Sequence, residues 1–395
     1  MRVVLAFSGG LDTSFCVSWL TERLSAEVVT VTVDTGGSSA EALAAIARRA
    51  TALGAVRHVT VDAKSLVYDR HVSWLIRGNV LRGEVYPLCV AAERTRQAIE
   101  VARVAREIGA DAVAHGSTGA GNDQIRFDVI WRVLLPAVRL LTPIRDERVG
   151  RDDATRWLVE RGLPVPEGSG RYSVNRGLWG TTLGGGWTHD SWAAPPDDAW
   201  EAPEPDATGE DVTIGWEEGL PVSLDGTPMS GVALVEALAA RTARLGVGRG
   251  IHQGETVMGI KGRVAFEAGA PLVLIAAHRE LEKATLTRWQ AFWKDHLARF
   301  YGERLHEGQY LDPALRDIEA LIESSQRHVE GETRVRLDTG RFLVTGVRSP
   351  RSLASPDAVY GEGTSLWDGE EARAFAKIAA VTSVLSARRE GPEWW

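Results

Sequence analysis

Cysteine is nearly missing from this chain: Cys16 and Cys89 are the only two among 395 residues. Neither stands in a Cys-x-x-Cys pair, so neither a zinc site nor a disulfide framework organises the fold. Long hydrophobic runs are missing too, and none would cross a bilayer. The first residues, Met1-Arg2-Val3-Val4-Leu5-Ala6-Phe7, run into a loop with no small-residue cleavage site. A soluble, cytoplasmic protein with no membrane partner is the expectation. Positive charge is short as well: the formal net charge is −8, which argues against a broad basic surface for nucleic acid. The phosphate-binding pattern GxxxxGK[ST] does not occur. What is present is an ordinary globular mix, 44% apolar and 25% charged, on a chain too long for a single core.

Residues 3–7, 28–33, 56–61, 112–115 and 140–142 read as short strands, and 13–24, 39–53 and 91–108 as helices. That alternation predicts an α/β fold, a doubly wound parallel sheet over residues 1–165. The pattern changes near Pro164-Val165-Pro166. Residues 191–211, rich in Pro, Asp, Glu and Ala, read as an exposed excursion. Strands are expected at 212–225, 255–261 and 334–347, and helices at 230–245 and 285–304, giving an α+β second domain over 166–368. Phe375, Ile378, Ala379, Thr382 and Leu385 mark one face of a C-terminal helix within 369–395. That face needs a partner, from its own domain or from another subunit. The 14 tryptophans read as core and interface residues. His58 and His71 read as packed histidines.

Ala6-Phe7-Ser8-Gly9-Gly10-Leu11-Asp12-Thr13-Ser14 joins the first strand to the first helix. Glycines let backbone approach an anion, and free N–H groups at a helix start point toward it. The hydroxyls of Ser8, Thr13 and Ser14 add donors. Asp12 beside a phosphate implies a cation, so Mg²⁺ is expected with it. This is the pyrophosphatase-loop pattern, used where ATP is split between its α and β phosphates. Asp34 ends the second strand, and Thr35-Gly36-Gly37 suits either a plain turn or the adenine or ribose edge. A second constellation, His115-Gly116-Ser117-Thr118-Gly119-Ala120-Gly121-Asn122-Asp123-Gln124-Ile125-Arg126-Phe127-Asp128, follows another strand of the same sheet. Here Arg126 suits a carboxylate and Asp123 an amino group. Ligands of such sheets bind at the carboxyl ends of strands, so Ser8 and Gly116 should share one crevice.

With these motifs, Tyr86-Pro87-Leu88, Tyr172-Ser173, Leu178-Trp179-Gly180, Gly259-Ile260-Lys261, Ala277-His278-Arg279 and Ser349-Pro350, nearly the whole chain resembles the argininosuccinate synthase family. The resemblance implies an adenine nucleotide alpha hydrolase-like first domain, an ATP- and Mg²⁺-dependent ligase, and commonly a homotetramer. It implies that the ureido oxygen of citrulline attacks the α-phosphorus of ATP, and that the amine of aspartate then displaces AMP. By the family's pattern, ATP is held at Ala6, Phe7, Ser8, Gly9, Gly10, Leu11, Asp12, Thr13, Ser14, Val33 and Gly116. Aspartate is held at Val90, Thr118, Asn122 and Asp123. Citrulline is held at Tyr86, Ala91, Asn122, Arg126, Ser173, Thr182, Gly254 and Phe266. Ser8, Asp12 and Asp123 are the expected catalytic residues.

Several positions depart from the pattern. Cys89-Val90-Ala91 replaces Gly-Thr-Ser, removing two hydroxyls. Thr182 replaces Ser, Gly184 and Gly254 each replace Glu, Phe266 replaces Tyr, Ala120 replaces Lys and Gly37 replaces Gln. Glu255, adjacent to Gly254, is a candidate substitute. Each lost hydrogen bond to a charged ligand group costs about 1.5–3 kcal/mol if nothing replaces it. Either compensating contacts preserve citrulline, or the acceptor is a different ureido, amide or carboxyl compound. Ligase chemistry is common to both. A tRNA-thiolating enzyme would want catalytic cysteines and a basic surface, and a non-catalytic ATP binder would release no pyrophosphate. Cys89 has no histidine nearby in sequence and reads as a space filler.

Overall fold

The computed structural model describes residues 1–166, 172–202 and 208–391. Two compact units form, Met1–Pro350 and Arg351–Trp395. The first unit opens with a sheet built from β1 (Arg2–Ala6), β2 (Glu27–Asp34), β3 (Arg57–Asp62), β4 (Ala112–Ala114) and β5 (Arg139–Leu141). All neighbours are parallel, in the order β3-β2-β1-β4-β5. In β2 every residue after Glu27 is buried, as a parallel strand covered on both faces requires.

Helices α1 (Leu11–Leu24), α2 (Ala40–Ala52), α3 (Lys64–Val67), α4 (Ser73–Arg77), α5 (Ala91–Glu107), α6 (Asp123–Leu134), α7 (Pro143–Asp146) and α8 (Arg151–Glu160) connect and cover this sheet. A π-helical turn at Tyr68–Val72 joins α3 to α4. Ser39 caps α2, accepting from the amide of Ala42. The chain leaves β1 toward β2 on one side and returns to β4 on the other. The crevice between the carboxyl ends of β1 and β4 is therefore the topological switch point, where such sheets hold ligands.

Beyond residue 171 the sheets become antiparallel. β6 (Tyr172–Gly177), β7 (Gly180–Gly185), β11 (Arg249–Glu255) and β12 (Lys261–Glu267) form one, in the order β11-β12-β7-β6. β8 (Glu210–Glu217), β9 (Leu220–Leu224), β10 (Thr227–Pro228), β13 (Gly331–Asp338) and β14 (Arg341–Arg348) form the other, ordered β10-β9-β8-β13-β14. Helices α9 (Gly231–Arg244), α10 (Gly269–Thr285), α11 (Arg288–His306) and α12 (Pro313–Gln326) pack with them. Among the described residues no helix is long and apolar enough to cross a membrane. The unit Arg351–Trp395 contains α13 (Gly369–Ala379) and α14 (Val381–Glu390).

Some expectations need correction. Residues 212–225 and 334–347 are hairpins rather than single strands, turning at Glu218-Gly219 and Thr339-Gly340. Residues 255–261 are the turn between β11 and β12, because Gly259 has a positive φ of 77° and the amide of Thr256 bonds back to Ile260. The helix expected at 285–304 is α11, which starts three residues later than expected because Thr287 and Gln290 make a capping box there. The C-terminal helix breaks at Ala380, although Phe375, Ile378 and Leu385 do present an exposed apolar face. The excursion at 191–211 stands: its described residues hold a 3₁₀ turn at Asp197–Ala199 before β8 begins at Glu210, and residues 203–207 lie outside the described residues.

One polar cluster sits in the core of the second half. Lys294 and His278 are fully buried. The Lys294 ammonium donates to Glu282 at 2.6 Å, and Glu282 also accepts from Gln326 at 2.6 Å and from Asn79 at 2.5 Å. His278 bridges the amide oxygens of Asn79 (2.7 Å) and Gln326 (2.9 Å). This ties the end of α4 to α10, α11 and α12. Removing one partner of a buried ion pair strands the other charge. Glu282→Gln should therefore cost about 3–5 kcal/mol in denaturant unfolding, and Glu282→Gln with Lys294→Met clearly less. A single-variant loss under about 1 kcal/mol would show that the cluster is not buried as described.

Candidate functional site

The first strand stops at Ala6, and Phe7 stays tied to the sheet because its N–H donates to the Val31 carbonyl. Gly9 then adopts φ +74°, where a Cβ would lie 3.0 Å from the Ile46 side chain. Arg49 of α2 donates to the Gly9 carbonyl at 2.6 Å and clamps the turn. Gly10 is the N-cap of α1, and no side chain caps this helix start. The first amides of α1 are left to a ligand, which makes an anion site. Ser8 and Thr13 hydroxyls bond each other at 3.2 Å and frame it.

Gly116, just after β4, lies directly against this helix start. A Cβ there would be 3.1–3.2 Å from Thr13 and from the Asp12 backbone. The two loops therefore meet, as expected, in one cavity of about 1260 Å³. Its wall includes Ala6, Phe7, Leu11, Val33, Thr118, Ser173 and Thr182, together with Tyr86, Val90, Asn122, Asp123, Arg126 and Gly254. Three of the expected site residues stand behind the wall instead. Ser14 is fully buried with its hydroxyl unpartnered, one position too deep in α1. Ala91 is buried at the start of α5, and Phe266 is buried beneath Gly250 and against Tyr86. The Thr35-Gly36-Gly37 turn does not reach the cavity either. Its glycines let the β6–β7 hairpin approach: a Cβ at Gly36 would be 2.7 Å from the Leu178 amide, and that amide donates to Thr35.

α5 and α6 pack side by side and aim their first turns at the cavity. Arg94 of α5 donates to Asp123 at 2.8 Å, and Arg126 donates to its other oxygen at 2.7 Å. Burial alone would raise the Asp123 carboxyl, but the two guanidinium groups hold it down at about 2. Each of its oxygens thus has one guanidinium partner and keeps further acceptor capacity toward the cavity. Arg126 has further partners: beyond Asp123 it donates to the His306 carbonyl (2.9 Å) and to His306 Nδ1 (3.1 Å). Arg94 continues to Asn175 at 2.6 Å and Gln97 at 2.9 Å. Asn122 accepts from the amide of Val257 at 2.9 Å, tying the β11–β12 turn to the second loop. His115 bonds Asp128 at 2.9 Å and accepts from the Ser117 amide at 3.1 Å. Arg145 completes that support through Asp128 and Gln124.

Asp12 lines the phosphate-loop end, where burial raises its carboxyl against the opposing charge of Arg151. The Tyr86 hydroxyl donates to the Cys89 carbonyl, and its ring stacks on His252 with centroids 5.4 Å apart. Val90 sits at φ +75° at the start of α5, strained for a β-branched residue. The Cys89 thiol is pushed well up by burial and then by Glu93, so it is a poor nucleophile. His58, half-buried, bonds Thr30 and Thr60, and His71 is fully buried against the ring of Tyr310. Sequence reasoning missed Arg49, Arg94, Arg151, His252 and His306. Only the apposition of separate helices and strands brings them together, and no short motif encodes that.

A parallel-sheet switch point with an uncapped helix start and a large polar cavity defines a nucleotide-using α/β enzyme. The family described as Arginosuccinate synthase N-terminal HUP domain matches residues 2–164, and Arginosuccinate synthase C-terminal domain matches residues 172–386. Argininosuccinate synthase of Xanthomonas axonopodis pv. citri is 40% identical over 98% of this chain and 94% of that relative. The same enzyme of Xanthomonas campestris pv. campestris is 40% identical over 98% of both. The chain belongs to the argininosuccinate synthase family and is an ATP-dependent ligase that forms carbon–nitrogen bonds.

Gly116→Ala forces its new Cβ onto backbone atoms of the α1 start. ATP binding measured by calorimetry should weaken at least ~10-fold, about 1.4 kcal/mol, with the melting temperature little changed. Unchanged affinity would mean that the two loops do not share a ligand.

Proposed function

We propose that the chain adenylates a ureido acceptor, citrulline or an analogue, and joins it to the amine of aspartate. The observation that carries this reading is the uncapped start of α1 opening into the same cavity as the Arg94–Asp123–Arg126 cluster. Pyrophosphate would be held by the residue 8–14 loop, with Arg49 and Arg151 nearby as cations. The ureido oxygen forms a bond to the α-phosphorus as the bond to pyrophosphate breaks. The amine then bonds to the ureido carbon, loses a proton, and AMP departs with the former ureido oxygen. The chain contributes position and fixed charge.

Asp12 fits a magnesium site of the usual kind, in which one carboxylate and the phosphates of the nucleotide share the ion. Its carboxyl is raised by burial, and a cation there would favour its ionised form. Magnesium would offset charge on the departing pyrophosphate. Thr118, Asn122, Asp123 and Val90 are assigned to the aspartate side, and Tyr86, Arg126, Ser173, Thr182 and Gly254 to the acceptor side. Since Asp123 and Arg126 are already paired, each would act as a fixed electrostatic wall rather than as a free clamp. We assign the protein to the cytoplasm and to a homotetramer. Exposed Trp289, Phe292, Trp293 and Phe300 on α11 support self-association.

Two outcomes test the reading. Asp12→Asn should lower kcat roughly 100-fold or more and raise the magnesium concentration needed for half-maximal rate. A rate within about threefold of the parent would remove Asp12 from the machinery. Val90→Thr restores a hydroxyl at nearly constant volume and should lower KM for aspartate, with kcat little changed. An unchanged KM for aspartate would place that amine elsewhere.

A further inference from the structure

Several acceptor-side positions offer a ligand no polar side chain. Ala91 and Phe266 carry no hydroxyl and stand behind the wall, and position 254 is a glycine. Glu255 does not stand in for a side chain there: its carboxylate is exposed to solvent and bonded by Lys261 at 2.7 Å. Gly254 has a different use. A Cβ at this position would lie 2.7 Å from Nε2 of His252. The glycine thus admits the imidazole of His252, which is stacked on Tyr86 in the cavity wall. His306, at the last turn of α11, continues that wall to Arg126.

The ring of His306 is fixed on one side and unsatisfied on the other. Its Nδ1 accepts from Arg126 at 3.1 Å, and its backbone carbonyl accepts from the same guanidinium at 2.9 Å. A guanidinium only donates, so the proton of the neutral ring sits on Nε2. Burial, and then the charges of Arg126, Arg82 and His252, hold the ring down at about 2, so it is neutral at physiological pH. The Nε2–H is buried without a partner, in a residue that lines the cavity. A buried donor left unbonded is costly, and buried polar atoms are as a rule satisfied. In a cavity wall the missing partner is an atom of the ligand, and it has to be an acceptor.

We infer that the Nε2–H of His306 binds the carboxylate of the ureido acceptor, which makes His306 a substrate-binding residue. The inference rests on the proposed reaction and deepens it. Two arguments select this group of the ligand. A donor cannot bond an ammonium or an N–H, so the partner is an oxygen. The ureido oxygen is engaged elsewhere, because it has to reach the α-phosphorus beside the residue 8–14 loop. That loop is framed by Arg49, Thr13 and Gly116, whereas His306 sits with Arg126, Arg82 and His252. The end of the acceptor opposite its ureido group is therefore the end that falls here. Arg126 keeps N–H groups beyond those it gives to Asp123 and His306, beside the same ring. A carboxylate that takes both is held by charge-assisted hydrogen bonds, the stronger kind. The carboxylates of aspartate are the competing occupants, and the test separates them.

The test compares citrulline with citrullinamide, in which the carboxylate has become an uncharged amide. Pyrophosphate release from ATP, Mg²⁺ and aspartate is followed on the full chain. His306→Asn keeps an oxygen that can accept from Arg126 and deletes the Nε2–H. His306→Gln keeps an N–H close to the Nε2 position. The parent should favour citrulline in kcat/KM. His306→Asn should cut that preference at least ~10-fold, through KM for citrulline, because a hydrogen bond to a charged group is worth such a factor. KM for aspartate and for ATP should stay within about threefold of the parent. His306→Gln should retain more of the preference than His306→Asn does. Parity in the parent, an undiminished preference in His306→Asn, a rise in KM for aspartate in place of citrulline, or a glutamine variant no better than the asparagine one each overturns the inference and leaves the proposed reaction standing. No pyrophosphate from the parent with citrulline and aspartate overturns the proposed reaction, and the inference falls with it. Each preference is a ratio within one protein, so poor folding lowers both rates and does not imitate the change.

Discussion

At the head of the cavity backbone meets backbone, where Gly116 rests on Asp12 and Thr13. That approach joins the loop after β1 to the loop after β4, across the switch point of the parallel sheet. A side chain at 116 would hold them apart. The rest of the site follows from it. The start of α1 can stay uncapped because a ligand, rather than a serine or aspartate, is to satisfy its amides. The second loop can then run on into α6 and deliver Asp123 beside the first turn of α5.

Charge supplies the second constraint. Asp123 pays for its burial by bonding Arg94 and Arg126, which makes a rigid salt-bridged floor between two helix starts. His306 and Asn175 anchor the outer ends of those arginines, so α11 and β6 are drawn into the same lattice of bonds. Asn122 and Val257 do likewise for the β11–β12 turn. The second domain type is thus attached to the nucleotide fold through polar groups that surround the cavity. The site cannot be altered locally without reaching several elements.

The nucleotide half was legible in the sequence because its signals are local. Short β-branched runs, alanine-rich helical spacing and the Ser-Gly-Gly turn each declare themselves within a dozen residues. The family resemblance added the substrate residues, and most of them do line the cavity. What failed was long-range. Gly36 and Gly37 suited either a plain turn or a ligand edge, and in the fold they admit a hairpin that lies some 140 residues further on. Residues 255–261 had strand composition, yet a positive-φ glycine turns them. Tyr86 and Arg126 are also bonded within the fold, to the Cys89 carbonyl and to Asp123 and His306, and no short motif announces those partners. The imidazoles of His252 and His306 carry no motif, and only the fold brings them to one wall.

The account stands on adenylation of a ureido oxygen. The direct test is an acceptor labelled with ¹⁸O at that oxygen, run with ATP, Mg²⁺ and aspartate, followed by mass spectrometry of the nucleotide product. The account predicts that AMP carries the label on its phosphate and that the guanidino product carries none of it. Unlabelled AMP, or ADP and phosphate in its place, would contradict it.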